Sequence, residues 1–121
     1  MIVKAPRLVA AGAINGALAV AAGAFAAHAL RDQVSARALA AFETGARYHM
    51  FHALAIVLAG VIGARSSGWI FQLGIVLFSG SLYAFAIADV HAMVFVTPFG
   101  GAALIAGWIC LAICAFRARS D

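Results

Sequence analysis

The sequence predicts an all-α integral membrane protein, a four-helix transmembrane bundle with a short amphipathic outer-surface helix between spans 1 and 2. Hydrophobic residues make up 66% of the 121 residues, and charged residues only 10%. A water-soluble domain of this size needs about 25% charged residues, so we expect lipid to surround this chain. The third observation is that the apolar residues fall into four long stretches.

The four apolar stretches determine the domain organisation. Each is roughly 20 residues long, which at ~1.5 Å per residue lets a helix cross the ~30 Å hydrocarbon core. Helices also satisfy their own backbone hydrogen bonds, as the bilayer interior requires. We therefore expect one transmembrane domain over residues 1–121, with spans at about 8–27, 45–64, 69–88 and 97–116.

The first span also imitates a secretory signal peptide. Lys4 and Arg7 form a basic start, and the segment 27–29, Ala-His-Ala, has the pattern of a cleavage site. The apolar run between them is longer than the roughly 7–15 residues of a signal peptide. We therefore expect this segment to be retained as a membrane span.

The segments between the spans differ in length. Residues 65–68 are expected to form a tight turn between spans 2 and 3, whereas residues 28–44 form the long connection. Ser35 is a residue type that caps helices, and an apolar stripe follows it. This pattern predicts the surface helix at about 35–44, which continues through Gly45 into span 2.

The charged residues predict the orientation of the spans. Lys and Arg are enriched on the cytoplasmic side of membrane proteins, and four spans place both termini on one side. The basic residues divide five to three between the two sides: Lys4, Arg7, Arg65, Arg117 and Arg119 against Arg31, Arg37 and Arg47. The acidic residues divide in the opposite sense: Asp121 against Asp32, Glu43 and Asp89. We expect cytoplasmic termini, and we attribute the net charge of +4 to this topology, not to a nucleic-acid surface.

A candidate binding pocket at the outer end follows from this topology. All four histidines fall towards the outer side, near an acidic and a basic side chain. Imidazole, carboxylate and guanidinium groups at similar depth could bind a small molecule or a lipid head group. The candidate residues are His28, Glu43, Arg47, Tyr48 and His52, with Asn15 below them.

Two of these residue types have alternative roles. His49 and His52 share a helix face and could present two imidazoles to a metal, with His28 as a third ligand. Structural hydrogen bonding is the competing role for these histidines, and we predict no metal and no cofactor. Asn15 is expected to hydrogen-bond to another helix, because a lone amide is costly in lipid. A place in a transport path is the alternative for Asn15.

The sequence contains no pattern that indicates catalysis. It has no nucleotide-binding glycine loop, no nucleophile elbow, no H-E-x-x-H and no C-x-x-C. No carboxylate falls at mid-membrane depth, which argues against a proton- or cation-coupled pump. We therefore expect a non-enzymatic bundle that assembles with itself or with a larger membrane complex. The alternative is binding or transport of a small molecule, a lipid or a metal through the outer pocket.

Four sequence elements, in order along the chain, resemble those of a known family. Residues 23–28, GAFAAH, are similar to its GAFGAH element, and residues 42–55 contain FETGARY followed by HALA. Residues 78–83, FSGSLY, and residues 97–101, TPFGG, match two further elements. The family is the YgdD/YwdK-like group of small bacterial inner-membrane proteins, a domain of unknown function with a relative in animals.

The resemblance implies a four-span protein of the bacterial inner (plasma) membrane and carries over no activity. This sequence departs from the family at Ala26, where Gly is usual, and at His49, where Gln is frequent. Because Gln does not readily replace a metal ligand, the second departure weakens the hypothesis of a histidine metal site.

Overall fold

Four long helices make up most of the chain in the computed structural model, which describes residues 2–118. The helices are α1 (Pro6–Phe25), α2 (Ala36–Ile62), α3 (Arg65–Ala88) and α4 (Thr97–Ala118). A π-helical turn, Ala26–Leu30, prolongs α1, and a 3-10 turn, His91–Phe95, precedes α4. All four are long and apolar enough to cross a membrane, which confirms the predicted fold class.

Local chemistry explains where the helices begin and end. Pro6 starts α1, a position at which its missing N–H costs nothing. The Ser35 hydroxyl accepts a hydrogen bond of 3.1 Å from the backbone N–H of Ala38 and caps α2, as the sequence predicts. Pro98 lies in the first turn of α4, where a proline is tolerated.

The helices pack in chain order around a central pair. α1 packs on α2, α2 on α3, and α3 on α4, whereas α1 has only a small contact with α3. Each connection reverses the chain, so successive helices are antiparallel. The C-terminal ends of α2 and α4 therefore lie at the same end of the bundle as the N-terminal ends of α1 and α3. α2 and α3 therefore form the middle of the bundle, with α1 at one edge.

Glycines allow the helix backbones to approach closely. A Cβ on Gly12 of α1 would lie 2.8 Å from the Val57 nitrogen of α2. In the reciprocal contact, a Cβ on Gly60 of α2 would lie 2.8 Å from the Val9 nitrogen of α1. Such close approach is how membrane helices gain packing energy where no hydrophobic drive acts between them. Gly74 does the same between α3 and α4, against Leu104.

The helix predicted at 35–44 forms the first turns of α2 and, as the sequence predicts, continues through Gly45 without a break. It does not lie on the surface of the bundle as expected. Phe42 is buried, with its ring centroid 5.8 Å from that of Phe25 and 4.7 Å from that of Tyr83. The apolar stripe therefore faces α1 and α3, and this packing aligns the segment with the bundle.

The turn between α2 and α3 lies earlier than predicted. Residues 65–68 form the first turn of α3, and the chain reverses at Gly63 and Ala64. Gly63 has a φ of 87°, the left-handed conformation that ends a helix at little cost only when the residue is glycine. Arg119 and Asp121, which the predicted orientation includes, lie outside the described residues.

Replacing Gly12 by Ala is expected to destabilise the bundle. The added Cβ would lie 2.8 Å from the Val57 nitrogen and 2.9 Å from the Ala53 oxygen, so the two backbones must separate. The expected loss is about 1–3 kcal/mol, measured as a fall in the thermal unfolding midpoint in mild detergent. Gly16→Ala is the control, because nothing lies within 4 Å of its added Cβ. Equal midpoints for the two variants would contradict this close packing.

Candidate functional site

The polar side chains inside the bundle form one connected chain across three helices. The Asn15 amide of α1 donates to the Gln72 Oε1 of α3 at 2.7 Å and to the Ala11 carbonyl at 2.8 Å. The Asn15 Oδ1 lies 3.0 Å from His49 Nε2 of α2, and His49 Nδ1 lies 3.0 Å from the Tyr83 hydroxyl of α3. Asn15 therefore makes the predicted interhelical hydrogen bonds.

The bonding partners of Asn15 and His49 determine which atom donates in each of these interior hydrogen bonds. The Ala11 carbonyl can only accept, so it orients the Asn15 amide and leaves Oδ1 to accept from His49 Nε2–H. In the neutral imidazole Nδ1 is then an acceptor, and it receives the Tyr83 hydroxyl proton. Asn15 and His49 use all their principal donors and acceptors in this way, which is the arrangement expected of buried polar groups.

His52 has a second, separate set of partners. Its Nδ1 lies 2.7 Å from the Tyr48 carbonyl, which can only accept, so Nδ1 carries the proton. Its Nε2 then accepts from the indole N–H of Trp108 at 3.0 Å. Trp108 also packs edge-on against Phe71, at a centroid separation of 4.9 Å. His52 thus ties α4 to α2 and is held as the neutral tautomer.

The six candidate residues do not line one pocket. Asn15 belongs to the interior chain, and His52 is bound to Trp108. Glu43 and Arg47 lie together in a groove between α1 and α2, and Tyr48 is on the other side of α2. His28 lies exposed on the π-helical turn that follows α1.

The alternative metal set is not assembled either. His28 is exposed, whereas His49 and His52 are buried and bound to different partners. Within residues 2–118 no three His, Cys, Asp or Glu side chains are grouped so that they could hold a metal ion. The two histidines share a helix, but each is already committed to a hydrogen-bond donor or acceptor on another helix.

Three side chains of the hydrogen-bonded sets were absent from the candidate list. Gln72 and Tyr83 are polar groups within a span, and this alone was a signal that they need partners. Trp108 carried no such signal, because an indole within an apolar run is also typical of a packed or interfacial residue. The sequence does not show that α4 packs beside α2, so it does not identify His52 as the partner of Trp108.

Three of the surface grooves in the described part of the bundle are lined by the candidate or hydrogen-bonded residues. The α1–α2 groove, about 400 Å³, lies between Gly23 and Glu43 and is the most polar, since Arg31 and Arg47 also line it. The α1–α3 groove, about 620 Å³, has Asn15, His49 and Gln72 among its lining residues. The α2–α4 groove, about 590 Å³, is mainly aromatic; its lining includes Tyr48, Phe51, His52, Phe78 and Trp108. Guanidinium groups suit the first groove to anionic groups, whereas the other two suit apolar molecules.

The Asn15–His49 hydrogen bond is expected to couple α1 and α2 energetically. Asn15→Ala leaves the His49 N–H without an acceptor, so the variant should lose about 1–3 kcal/mol of unfolding free energy. A double-mutant cycle with His49→Ala should give a coupling energy above about 0.5 kcal/mol.

The control cycle pairs Asn15→Ala with Thr97→Ala, whose hydroxyl lies 2.6 Å from the Ser81 hydroxyl between α3 and the start of α4. These two changes should be additive within about 0.5 kcal/mol. Additivity of Asn15→Ala and His49→Ala as well would contradict the interior hydrogen-bonded chain.

Comparisons with known proteins agree with this architecture. A family model described as "Protein of unknown function (DUF423)" matches residues 22–101. The UPF0382 membrane protein YwdK of Bacillus subtilis is 40% identical over 114 residues, which cover 88% of this chain and 93% of YwdK. The UPF0382 inner membrane protein YgdD of Escherichia coli is 41% identical over 114 residues, covering 88% of this chain and 87% of YgdD.

A third relative, a UPF0382 membrane protein of Haemophilus influenzae, is 40% identical over 116 residues, covering 89% of this chain and 92% of the relative. No solved structure shows significant similarity to the chain. The relatives confirm the resemblance to the YgdD/YwdK group, and their names agree with the four apolar helices. The chain is therefore an integral membrane protein that belongs to the DUF423 family.

Proposed function

We propose that the protein is a non-enzymatic helical bundle of the bacterial inner membrane that assembles with a second copy of itself through α1. The observation that carries this proposal is the composition of the lipid-facing side of α1. Five small side chains on this face are exposed: Ala10, Ala13, Ala17, Ala21 and Ala24. Of these, Ala21 also borders the α1–α3 groove. We call this face the alanine stripe.

The alanine stripe has the spacing of a membrane-helix interface. Its members recur every three or four residues, which keeps them on one face over four turns. Small residues at such spacing let a second helix approach closely, whereas large apolar side chains are solvated well by lipid. Ile14 and Val20 flank the stripe and are both 62% exposed, so they would pack beside the contact.

The lipid-facing side of α4 differs from the alanine stripe of α1. It presents large side chains, and Ile105, Ile109 and Phe116 are 63%, 56% and 66% exposed. These residues suit contact with lipid chains. The two edges of the bundle thus differ in character, and the difference favours α1 as the helix that meets a partner.

The interior hydrogen bonds support a non-enzymatic role. His49, His52 and Asn15 are buried, and each is bound to a partner on another helix. A general base or nucleophile needs a free reactive atom within reach of a substrate. In this bundle the same residue types hold helices together instead.

Cysteine cross-linking in membranes tests the assembly. With Cys110 and Cys114 replaced by Ser, Ala17→Cys should form an intermolecular disulfide on mild oxidation, because a close α1–α1 contact brings the two Cβ atoms within ~3.5–4.5 Å. The product is measured as a band at twice the mass of the chain on a non-reducing gel.

Ile109→Cys in the same background is the matched control, since it is equally exposed on the opposite edge and should give no such band. Equal cross-linking at both positions, or none at Ala17→Cys, would overturn the proposal. A product of another mass would assign the alanine stripe to a larger complex.

We also propose that both termini face the cytoplasm. The end of the bundle that contains Lys4 and Arg7 also contains Arg65 and Arg117. The Arg65 guanidinium donates a 2.8 Å hydrogen bond to the Lys4 carbonyl, which ties the N-terminal segment to the start of α3. This basic end supports a cytoplasmic position by the positive-inside rule.

A membrane-impermeant maleimide tests this orientation. In the cysteine-free background, Gln33→Cys lies at the proposed outer end and should be labelled in intact spheroplasts. Ser66→Cys lies at the basic end and should be labelled at least about tenfold more after the membrane is permeabilised. The reverse pattern, measured by mass shift on a gel, would contradict cytoplasmic termini.

A further inference from the structure

The α1–α3 groove combines an apolar wall with a polar floor. Leu18 and Phe25 of α1 and Val76 of α3 form much of the wall. The floor is the interior hydrogen-bonded chain, with Gln72 towards the cytoplasmic end and Tyr83 towards the outer end. A groove of about 620 Å³ is within the ~300–1,000 Å³ range of small-molecule sites. Because α1 has little contact with α3, the groove opens sideways, towards lipid.

Gln72 lines this groove and has an unpaired donor. Its Oε1 accepts from Asn15, so its Nε2 points away from Asn15. In the part of the chain that the structure describes, this Nε2 has no acceptor, and it is not among the fully buried unpaired atoms. The bilayer interior holds no water to accept this hydrogen bond, so the unpaired Gln72 N–H costs free energy. A bound molecule that supplies an acceptor would remove this cost.

The depth of Gln72 excludes phospholipid head groups as that acceptor. Gln72 lies about 10 Å along α3 from its cytoplasmic end and about 24 Å from its outer end, at ~1.5 Å per residue. The ester carbonyls and phosphates of phospholipids lie outside the hydrocarbon core. An acceptor at this depth must belong to a molecule that is soluble in the core itself.

The lining also defines the charge of the occupant. None of the described residues that line the groove is Asp, Glu, Lys or Arg. A charged head would therefore be desolvated without a counter-ion, at a high cost. A neutral carbonyl needs one donor, and Gln72 Nε2 supplies it.

From these observations we propose that the α1–α3 groove binds an isoprenoid quinone, with one ring carbonyl on Gln72 Nε2 and the apolar chain between α1 and α3. The groove and the proposed self-assembly surface share only Ala21, and Ala17, the cross-linking position, does not line the groove. The proposal concerns binding alone and includes no electron transfer.

Gly80 offers a variant that closes the groove without disturbing the fold. Gly80 is exposed in the groove, and nothing lies within 4 Å of a Cβ added there. Gly80→Leu should therefore fold normally and occupy the space of the ligand. Gly23→Leu is the matched control, because Gly23 is also helical and exposed with nothing within 4 Å, but it lines the α1–α2 groove.

Decylubiquinone is the probe, and the purified protein in mild detergent is titrated with it while the thermal unfolding midpoint is followed. The wild type and Gly23→Leu should show a saturable rise. Gly80→Leu should show none, and Gln72→Leu should bind about tenfold more weakly, since it lacks the donor.

Two parallel arms identify what the groove recognises. Decylbenzene has the same chain without carbonyls, and dioleoylphosphatidylglycerol supplies ester carbonyls and phosphate. Neither should raise the midpoint at the concentration at which decylubiquinone saturates. The proposal is overturned if decylubiquinone gives no rise, if either control compound acts as well, or if Gly80→Leu binds as the wild type does. Failure here leaves the cross-linking of Ala17→Cys unaffected, so the two proposals are tested separately.

Discussion

The structure depends on one constraint: in lipid, a buried polar group that lacks a hydrogen-bond partner is costly, so the polar side chains inside the bundle pair with one another. The Asn15–His49 hydrogen bond shows how this constraint is met, because it joins α1 to α2 and continues to α3 through Gln72 and Tyr83. Each hydrogen bond of this set avoids the free-energy cost of an unmatched polar group in lipid. The polar chain therefore specifies the rotation of three helices about their own axes.

Glycine contacts and polar contacts support each other in this arrangement. Gly12 and Gly60 bring α1 onto α2, and this close approach puts Asn15, three residues after Gly12, within hydrogen-bond distance of His49. On the other side of α2, Gly45 allows the same closeness to α3, and its carbonyl accepts from the Ser79 hydroxyl at 2.7 Å. Small residues thus set the distance between helices, and polar residues set their register.

The two edges of the bundle differ because only the central pair is covered on both sides. α1 leaves a groove against α3 and an alanine stripe on its outer face, whereas α4 is anchored to α2 by Trp108 and presents large side chains to lipid. The alanine stripe and two of the three grooves therefore lie on α1. The histidines, which the sequence groups near one end of the spans, lie instead in separate environments.

The sequence by itself determined the membrane location, the number of spans and the cap at Ser35, because these depend on local composition and short-range geometry. It also indicated that Asn15 needs a partner on another helix. Only the tertiary structure decided that this partner is His49, that 36–44 packs against α1 and α3, and that the candidate pocket residues separate. The reason is physical: helical periodicity shows which residues share a face, but not which neighbour that face meets. That choice depends on how four helices rotate to satisfy their polar groups together.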